Sequence, residues 1–295
     1  MHARLIVLFS TVLAAVCAAQ NPSNSRGQTS IHCSVIGDLE IRPFTSAVFH
    51  STRMLRIWLP PSYKSLENRG RRYPVLYLND GQDLFDACTS VFNAQEWRVD
   101  ETATDLIRRH KVLPLIVVGI DNAGKRDRPR EYLPFPDDTL RPAAPEVHGE
   151  DYPRFLLDEV IPFINQEYRT DPDPAKTGLG GSSYGAGIAL YTVMMRPGKF
   201  GRLLLESPSL YAHDDYLLHE ADRFTRWPMR IYVGVGSINE PVDDVLRLAE
   251  TLRRNGIGSR RLLVVKEAGT RHEERAWAGR LQRALRFLYG AQGTH

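Results

Sequence analysis

The chain has 295 residues, 42% of them hydrophobic and 25% charged, with 22 glycines and 19 prolines. These proportions exclude wholesale disorder, collagen-like repetition and coiled coil, and a chain this long buries a sizeable core without disulfides or metals. The formal charge of +3, from 38 basic and 35 acidic residues, makes no electrostatic case for a nucleic-acid partner, which asks for a clustered basic face.

Residues 1–19 have the order of a secretory signal peptide: basic Arg4, an apolar run from Leu5 to Ala19, and small residues at the end of that run. The run is short for a membrane span of about 20 residues, and cleavage after Ala18 or Ala19 fits the small-residue preference. Val16 sits where a lipid-bearing Cys17 would want a small neighbour, which argues against a lipoprotein anchor. The expected location is therefore secreted or periplasmic, with no membrane span once the signal is removed. Residues 20–30 are polar and rich in turn formers, as in a flexible leader. Cys33 and Cys88 then remain; an even pair in an exported protein can be a disulfide or two buried thiols, and spacing alone does not decide.

From residue 31 to 291 strand-like and helix-like segments alternate, as in a single domain. Strands are predicted at Ser34–Ile41, Arg53–Leu59 and Val75–Leu78, a helix over Trp97–His110, and a buried strand at 113–120. Residues 121–150 are long, irregular and proline-rich, yet carry Tyr132, Leu133 and Phe135, as expected of an ordered loop near a site. A helix over Tyr152–Tyr168 should bend at Pro162. Then come a strand at Thr177–Gly180, a helix at Tyr184–Met195, and strands at Arg202–Leu205 and Met229–Val235. A helix at Pro241–Asn255, a strand at Leu262–Lys266 and a helix at Glu273–Tyr289 complete the order. His213 and His219, in HDDYLLH, read as a polar surface segment or as substrate contacts. Strands alternating with helices predict an α/β fold with a mostly parallel sheet covered on both faces.

The sharpest local signal is Gly181-x-Ser183-x-Gly185, set between a strand and a helix. A sharp strand-to-helix turn needs small flanking residues because the nucleophile takes a strained conformation. It also places the serine hydroxyl near the positive end of the following helix. A serine hydroxyl is a poor nucleophile without a base, and His272, following the last strand, is placed to serve. The orienting acid belongs after the strand at 229–235. Glu240 precedes the next helix and is the preferred choice; Asp243 and Asp244 fall in the first helical turn, where the dipole alone favours acids. Asn239 is the orienter if the site works mainly as a Ser–His dyad.

Together with YPVLYLNDGQDLF (73–85), EWRVDE (96–101), LIVVGIDN (115–122), REYLPF (130–135) and LLLESPSLY (203–211), these residues resemble the secreted esterase family of the α/β-hydrolase fold. That family contains carbohydrate acetyl and feruloyl esterases, siderophore esterases and esterase D-like enzymes. The resemblance implies that Ser183 is the nucleophile and His272 the general base. It implies an oxyanion hole made by the backbone N–H of Tyr184 and of Gln82, with Asp83 the next choice. It also implies that Glu131 and Tyr132 help to shape the substrate cleft. The implied activity is hydrolysis of a small-molecule or polysaccharide ester without cofactor or metal. An acyltransferase on the same serine, or a non-catalytic carbohydrate or siderophore binder on the same scaffold, are the alternatives from other classes.

Overall fold

The computed structural model describes residues 33, 35–91, 94–137 and 146–291; the signal-peptide and leader readings fall outside them. Eight strands form one sheet in the order β1-β2-β4-β3-β5-β6-β7-β8. The first two, β1 (Asp38–Ser46) and β2 (Ser51–Leu59), pair antiparallel, and β2 runs antiparallel to β4 (Ile116–Ile120). The other pairings are parallel, through β3 (Val75–Asn79), β5 (Thr177–Ser182), β6 (Arg202–Glu206), β7 (Arg230–Val235) and β8 (Leu262–Lys266). This is the mostly parallel sheet that the alternation predicts.

The continuous apolar runs of the central strands follow from having both faces covered. Side chains alternate across the sheet. Val75 and Tyr77 of β3 enter one core, with Ile116 and Val118 of β4, Leu203 of β6 and Ile231 of β7. Leu76 and Leu78 enter the other, with Val117, Leu204 and Tyr232. The second core is closed by α1 (Val99–Arg108) and α8 (Glu274–Tyr289). The first is closed by α5 (Tyr184–Met195), α6 (Ala212–Arg223), α7 (Val242–Arg254) and the 152–167 helical segment. In α5, 11 of 12 residues are buried, as in a helix that is apolar all round because it lies between layers. Among the described residues no helix is long and apolar enough to cross a membrane.

Three predicted elements differ in detail. The first strand begins at Asp38 rather than Ser34, because its nine residues pair along the whole of β2 while Ile36 turns away. The Ile36 amide instead meets the Asp100 carboxylate, and its carbonyl accepts the Trp58 indole N–H at 2.9 Å. The helix over 152–168 is broken into α3 (Tyr152–Arg154), a π-helical turn (Phe155–Val160) and α4 (Ile161–Glu167). The widened turn lies immediately before Pro162, whose ring would collide with the carbonyl one turn back. The HDDYLLH segment is not polar surface throughout: His213, Asp214 and Asp215 form a non-helical kink near the start of α6, and the helical turns after it bury Leu217, Leu218 and Ala221. Within the long loop, Arg128–Tyr132 forms the short helix α2.

Cys33 and Cys88 are disulfide-bonded, with Cα atoms 5.4 Å apart and a sequence separation of 55. Closing a loop of that size lowers the entropy of the unfolded chain by about 4 kcal/mol in the loop-closure account. We therefore expect Cys88→Ser to lower the thermal midpoint by several degrees, up to roughly 10 °C. Scanning calorimetry under oxidising conditions checks this; an unchanged midpoint would mean that the bridge braces nothing.

Candidate active site

Ser183 links β5 to α5 with φ 55° and ψ −127°. Left-handed φ in a non-glycine residue costs about 1–3 kcal/mol and persists only where its surroundings over-determine it. The surroundings here are explicit. The Ser183 amide donates to the Glu206 carbonyl at 3.0 Å, and its carbonyl accepts from the amides of Ala186, Gly187 and Ser209. The flanking glycines are dictated by close approach. A Cβ on Gly181 would stand 2.7 Å from the Gly185 carbonyl carbon, and one on Gly185 would stand 2.7 Å from Asp80 Oδ2. Ser183 Oγ lies 3.3 Å from Ser209 Oγ.

His272 sits in the turn between β8 and α8, beside Glu240, which follows β7. Nδ1 of His272 and Oε2 of Glu240 are 2.9 Å apart, leaving Nε2 on the opposite edge of the ring. The Glu240 side chain is fully buried while that of His272 is 35% exposed. The two turns are locked together, since the amides of Ser237 and Ile238 both donate to the Thr270 carbonyl, at 3.1 and 3.0 Å. Of the candidate acids, it is Glu240 that meets the histidine. Asp243 and Asp244 lie in the first turn of α7. Asn239 precedes Glu240 with a left-handed φ of 54°.

A second layer holds this pair. The Ser207 hydroxyl donates to Glu240 Oε1 at 2.9 Å and accepts the Trp277 indole N–H at 3.1 Å. The His272 and Trp277 rings meet edge to face at 5.2 Å. Beneath lies Arg280, fully buried. Its Nε and Nη2 donate to Glu206 Oε2 at 2.9 and 2.8 Å, and its Nη1 donates to Glu267 and Thr270 at 3.2 Å. Sequence reasoning missed Ser207, Trp277 and Arg280 as site residues. ESPS after β6 was visible, but nothing in it says that Ser207 would face a glutamate 33 residues later.

The turn after β3 supplies the other wall. Asp80 has a left-handed φ of 60° and begins a 3-10 turn, Gly81–Asp83. Gly81 is required there, because a Cβ would lie 2.7 Å from the Gly119 carbonyl carbon. Asp80 is gripped by Arg128 at 2.7 and 2.8 Å and by Asn122 at 2.6 Å. Burial works against the Arg128 charge, but Asp80 outweighs it and raises the Arg128 pKa. The Asp83 amide donates to the Asp80 carbonyl at 2.9 Å and is thus engaged. The amides of Gln82 and Tyr184 have no acceptor among the described residues, so of the two candidates in this turn Gln82 keeps its donor. The Thr89 hydroxyl holds the Gln82 carbonyl at 2.6 Å.

Ser183, His272, Asp80, Asp83 and Arg128 border one open cleft of about 570 Å³. Tyr132 borders a second, more apolar cavity with Phe135, Tyr184, Ser209, His213 and Tyr216. The Tyr132 hydroxyl also accepts the Asp80 amide at 3.2 Å. Glu131 is a correction to the expected cleft-shaping role. Its carboxylate points to Arg53, which clamps it at 2.7 and 2.8 Å, and it borders neither cavity. It anchors α2 to β2.

The family model described as Putative esterase matches residues 46–288. The chain is 25% identical over 249 residues to ferri-bacillibactin esterase BesA of Bacillus subtilis, covering 76% of this chain and 81% of that protein. Its fold is similar to the crystal structure of the enterobactin esterase FES from Shigella flexneri, with TM-score 0.69 and 20% identity; the match covers 87% of this chain and 60% of that one. A ferulic acid esterase structure matches with TM-score 0.67 and 18% identity, over 87% of this chain and 98% of that one. With the family match spanning most of its length, the chain belongs to the Putative esterase family, has the α/β-hydrolase fold of its neighbours, and is a carboxylic ester hydrolase.

Proposed function

We propose that the protein is an exported serine esterase that works through an acyl-enzyme on Ser183. The observation that carries this reading is the convergence of a left-handed Ser183 and a Glu240-bound His272 on one cleft. In the first step His272 Nε2 takes the Ser183 hydroxyl proton as Oγ attacks the ester carbonyl. Glu240 holds the Nδ1–H tautomer and stabilises the imidazolium that forms. The tetrahedral oxyanion is received by the backbone N–H groups of Gln82 and Tyr184, the latter at the positive N-terminus of α5. His272 then delivers its proton to the leaving alcohol, and a water activated by the same histidine hydrolyses the acyl-enzyme. The substrates that fit the family are acyl-sugar, feruloyl or acetyl polysaccharide, and siderophore-type esters. The signal-like residues 1–19 support a secreted or periplasmic location.

A p-nitrophenyl ester should give a burst of one p-nitrophenolate per chain before steady turnover, because the acyl-enzyme accumulates. A fluorophosphonate probe should label the protein once, on the peptide containing Ser183. Labelling of any other residue, or full activity in the labelled protein, would remove Ser183 from the mechanism.

A further inference from the structure

The turn that carries Gln82 is gripped by a segment that the mechanism above does not use. Residues Asp86 to Val91 follow the turn and return to it. The Thr89 hydroxyl donates to the Gln82 carbonyl at 2.6 Å, and the Val91 amide donates to Asp83 Oδ1 at 3.0 Å. A hydroxyl has one proton to give, and the Gln82 carbonyl at 2.6 Å is better placed to take it than the Asp86 carbonyl at 3.0 Å. Thr89 borders neither cavity beside Ser183, so it acts through Gln82. We infer that Thr89 is a positioning residue: by holding the Gln82 carbonyl it fixes the direction of the Gln82 N–H that receives the oxyanion. The inference rests on the serine-esterase reading and names a residue on which the oxyanion hole of that same site depends.

Gln82 joins two peptide planes, and its N–H points only where they allow. The plane after it is held at both ends. Its carbonyl is held by Thr89 at 2.6 Å, and its N–H, that of Asp83, donates to the Asp80 carbonyl at 2.9 Å. The plane before Gln82 carries the oxyanion donor itself and is held less firmly. The Gly81 carbonyl at its other end accepts the Leu84 amide at 3.3 Å, a long bond for an amide donor. The glycine that close packing requires at 81 also leaves that plane little resistance to rotation. The direction of the donor therefore depends on what fixes residue 82. Its side chain is tied where Oε1 accepts the Asn122 amide at 3.2 Å, and its backbone is tied by Thr89.

Thr89 is itself secured. Its amide donates to the Asp86 carbonyl at 3.0 Å, and Arg56 Nη1 lies 3.4 Å from its hydroxyl oxygen. Asp121 grips Arg56 at 2.7 and 3.0 Å. This ion pair abuts the turn, since a Cβ on Gly81 would stand 2.6 Å from Asp121 Oδ1. Cys88, next to Thr89, is exposed but bridged to Cys33. A surface segment is thus fixed covalently beside the residue that holds the donor.

Thr89→Val keeps the branched shape and removes the hydroxyl, whereas Thr89→Ser keeps the hydroxyl and removes a methyl group. Loss of an oxyanion donor costs roughly 100- to 1000-fold in kcat, and a donor kept but no longer fixed should cost part of that, about 10- to 50-fold. With p-nitrophenyl acetate the loss in Thr89→Val should fall on kcat and leave KM nearly unchanged, because the oxyanion exists only beyond the ground state. Inhibition by 1,1,1-trifluoroacetone is the readout that a merely structural residue would not move. Ser183 Oγ adds to its carbonyl carbon, the hydroxyl proton passes to His272, and the carbonyl oxygen becomes the anion in the hole. Its Ki should rise in Thr89→Val by about the factor that kcat/KM falls, and Thr89→Ser should recover most of both. Thr89→Ala removes the same hydroxyl and gives the same reading if valine brings the thermal midpoint below the assay temperature. Wild-type kcat in the variants without the hydroxyl, a fall in kcat with Ki unchanged, or a Thr89→Ser protein as impaired as Thr89→Val would overturn the positioning role. If wild-type hydrolysis does not depend on Ser183, the serine-esterase reading fails and the role of Thr89 fails with it. If hydrolysis depends on Ser183 and is indifferent to the Thr89 hydroxyl, only the positioning role fails.

Discussion

Replacing Ser183 by alanine should lower kcat for any carboxylic ester by about 10⁶-fold, to the level that the oxyanion donors and substrate binding supply alone. The effect is this large because the hydroxyl is the atom that forms the covalent bond, and its nearest hydroxyl cannot replace it. Ser209 Oγ lies 3.3 Å away, but its residue lacks the strand-to-helix turn that presents Ser183 to the cleft. The fold should be untouched. Alanine keeps a Cβ at the same left-handed φ, and the hydrogen bonds that fix residue 183 run through its backbone, so the thermal midpoint is the control for folding. His272→Ala should cost a similar factor, and the double variant little more than either single one, because nucleophile and base act as one unit. Initial-rate measurements on p-nitrophenyl acetate check all three. A Ser183→Ala protein that retains more than about a hundredth of the wild-type rate would show that another group attacks the ester.

What the sequence revealed and what it hid divide along physical lines. The central strands were legible because a strand buried on both faces must be apolar at every position. The turn at Ser183 was legible because close packing demands glycine at 181 and 185. Both are local constraints. Helix α6 was not, since His213, Asp214 and Asp215 lead into it with left-handed φ values of 53°, 51° and 57°. Their polar side chains mask the buried Leu217 and Leu218. The support beneath His272 was also hidden, for a different reason. Arg280 reaches Glu206 across 74 residues and Trp277 reaches Ser207 across 70. Such contacts are created by the parallel strand order and leave no trace in either segment taken alone. Glu131 failed in the opposite sense: its segment matched the family, yet its carboxylate serves the fold through Arg53.

The choice among Glu240, Asp243 and Asp244 was open in the sequence, and the contact at 2.9 Å turns it into a quantitative expectation. Glu240→Gln should lower kcat by roughly 10⁴-fold, the cost of presenting a histidine in the wrong tautomer. The amide is nearly isosteric, so Ser207 still has a partner at position 240 and the turn stays in place. If the amide nitrogen faces His272, however, it donates a proton toward Nδ1, which forces the ring proton to Nε2 and removes the lone pair that must accept from Ser183. If the amide instead turns its oxygen to Nδ1, its nitrogen confronts the Ser207 hydroxyl, which already accepts from Trp277. That arrangement preserves the tautomer but loses the negative charge that stabilises the imidazolium. Either way the loss falls mainly on kcat, and KM should move little because Glu240 is buried away from substrate. Asp243→Asn and Asp244→Asn should leave the rate within a few-fold of wild type. A Glu240→Gln protein with less than a tenfold loss would mean that Ser183 and His272 function as a dyad, with Glu240 holding only the turn. Recovery of the dyad by Asn239 would then appear as a further loss in Glu240→Gln combined with Asn239→Ala. If the 10⁴-fold loss is seen, Ser207→Ala gives the next step inward: it removes one hydrogen bond to the same carboxylate and should cost far less, because the charge and the contact to Nδ1 both remain.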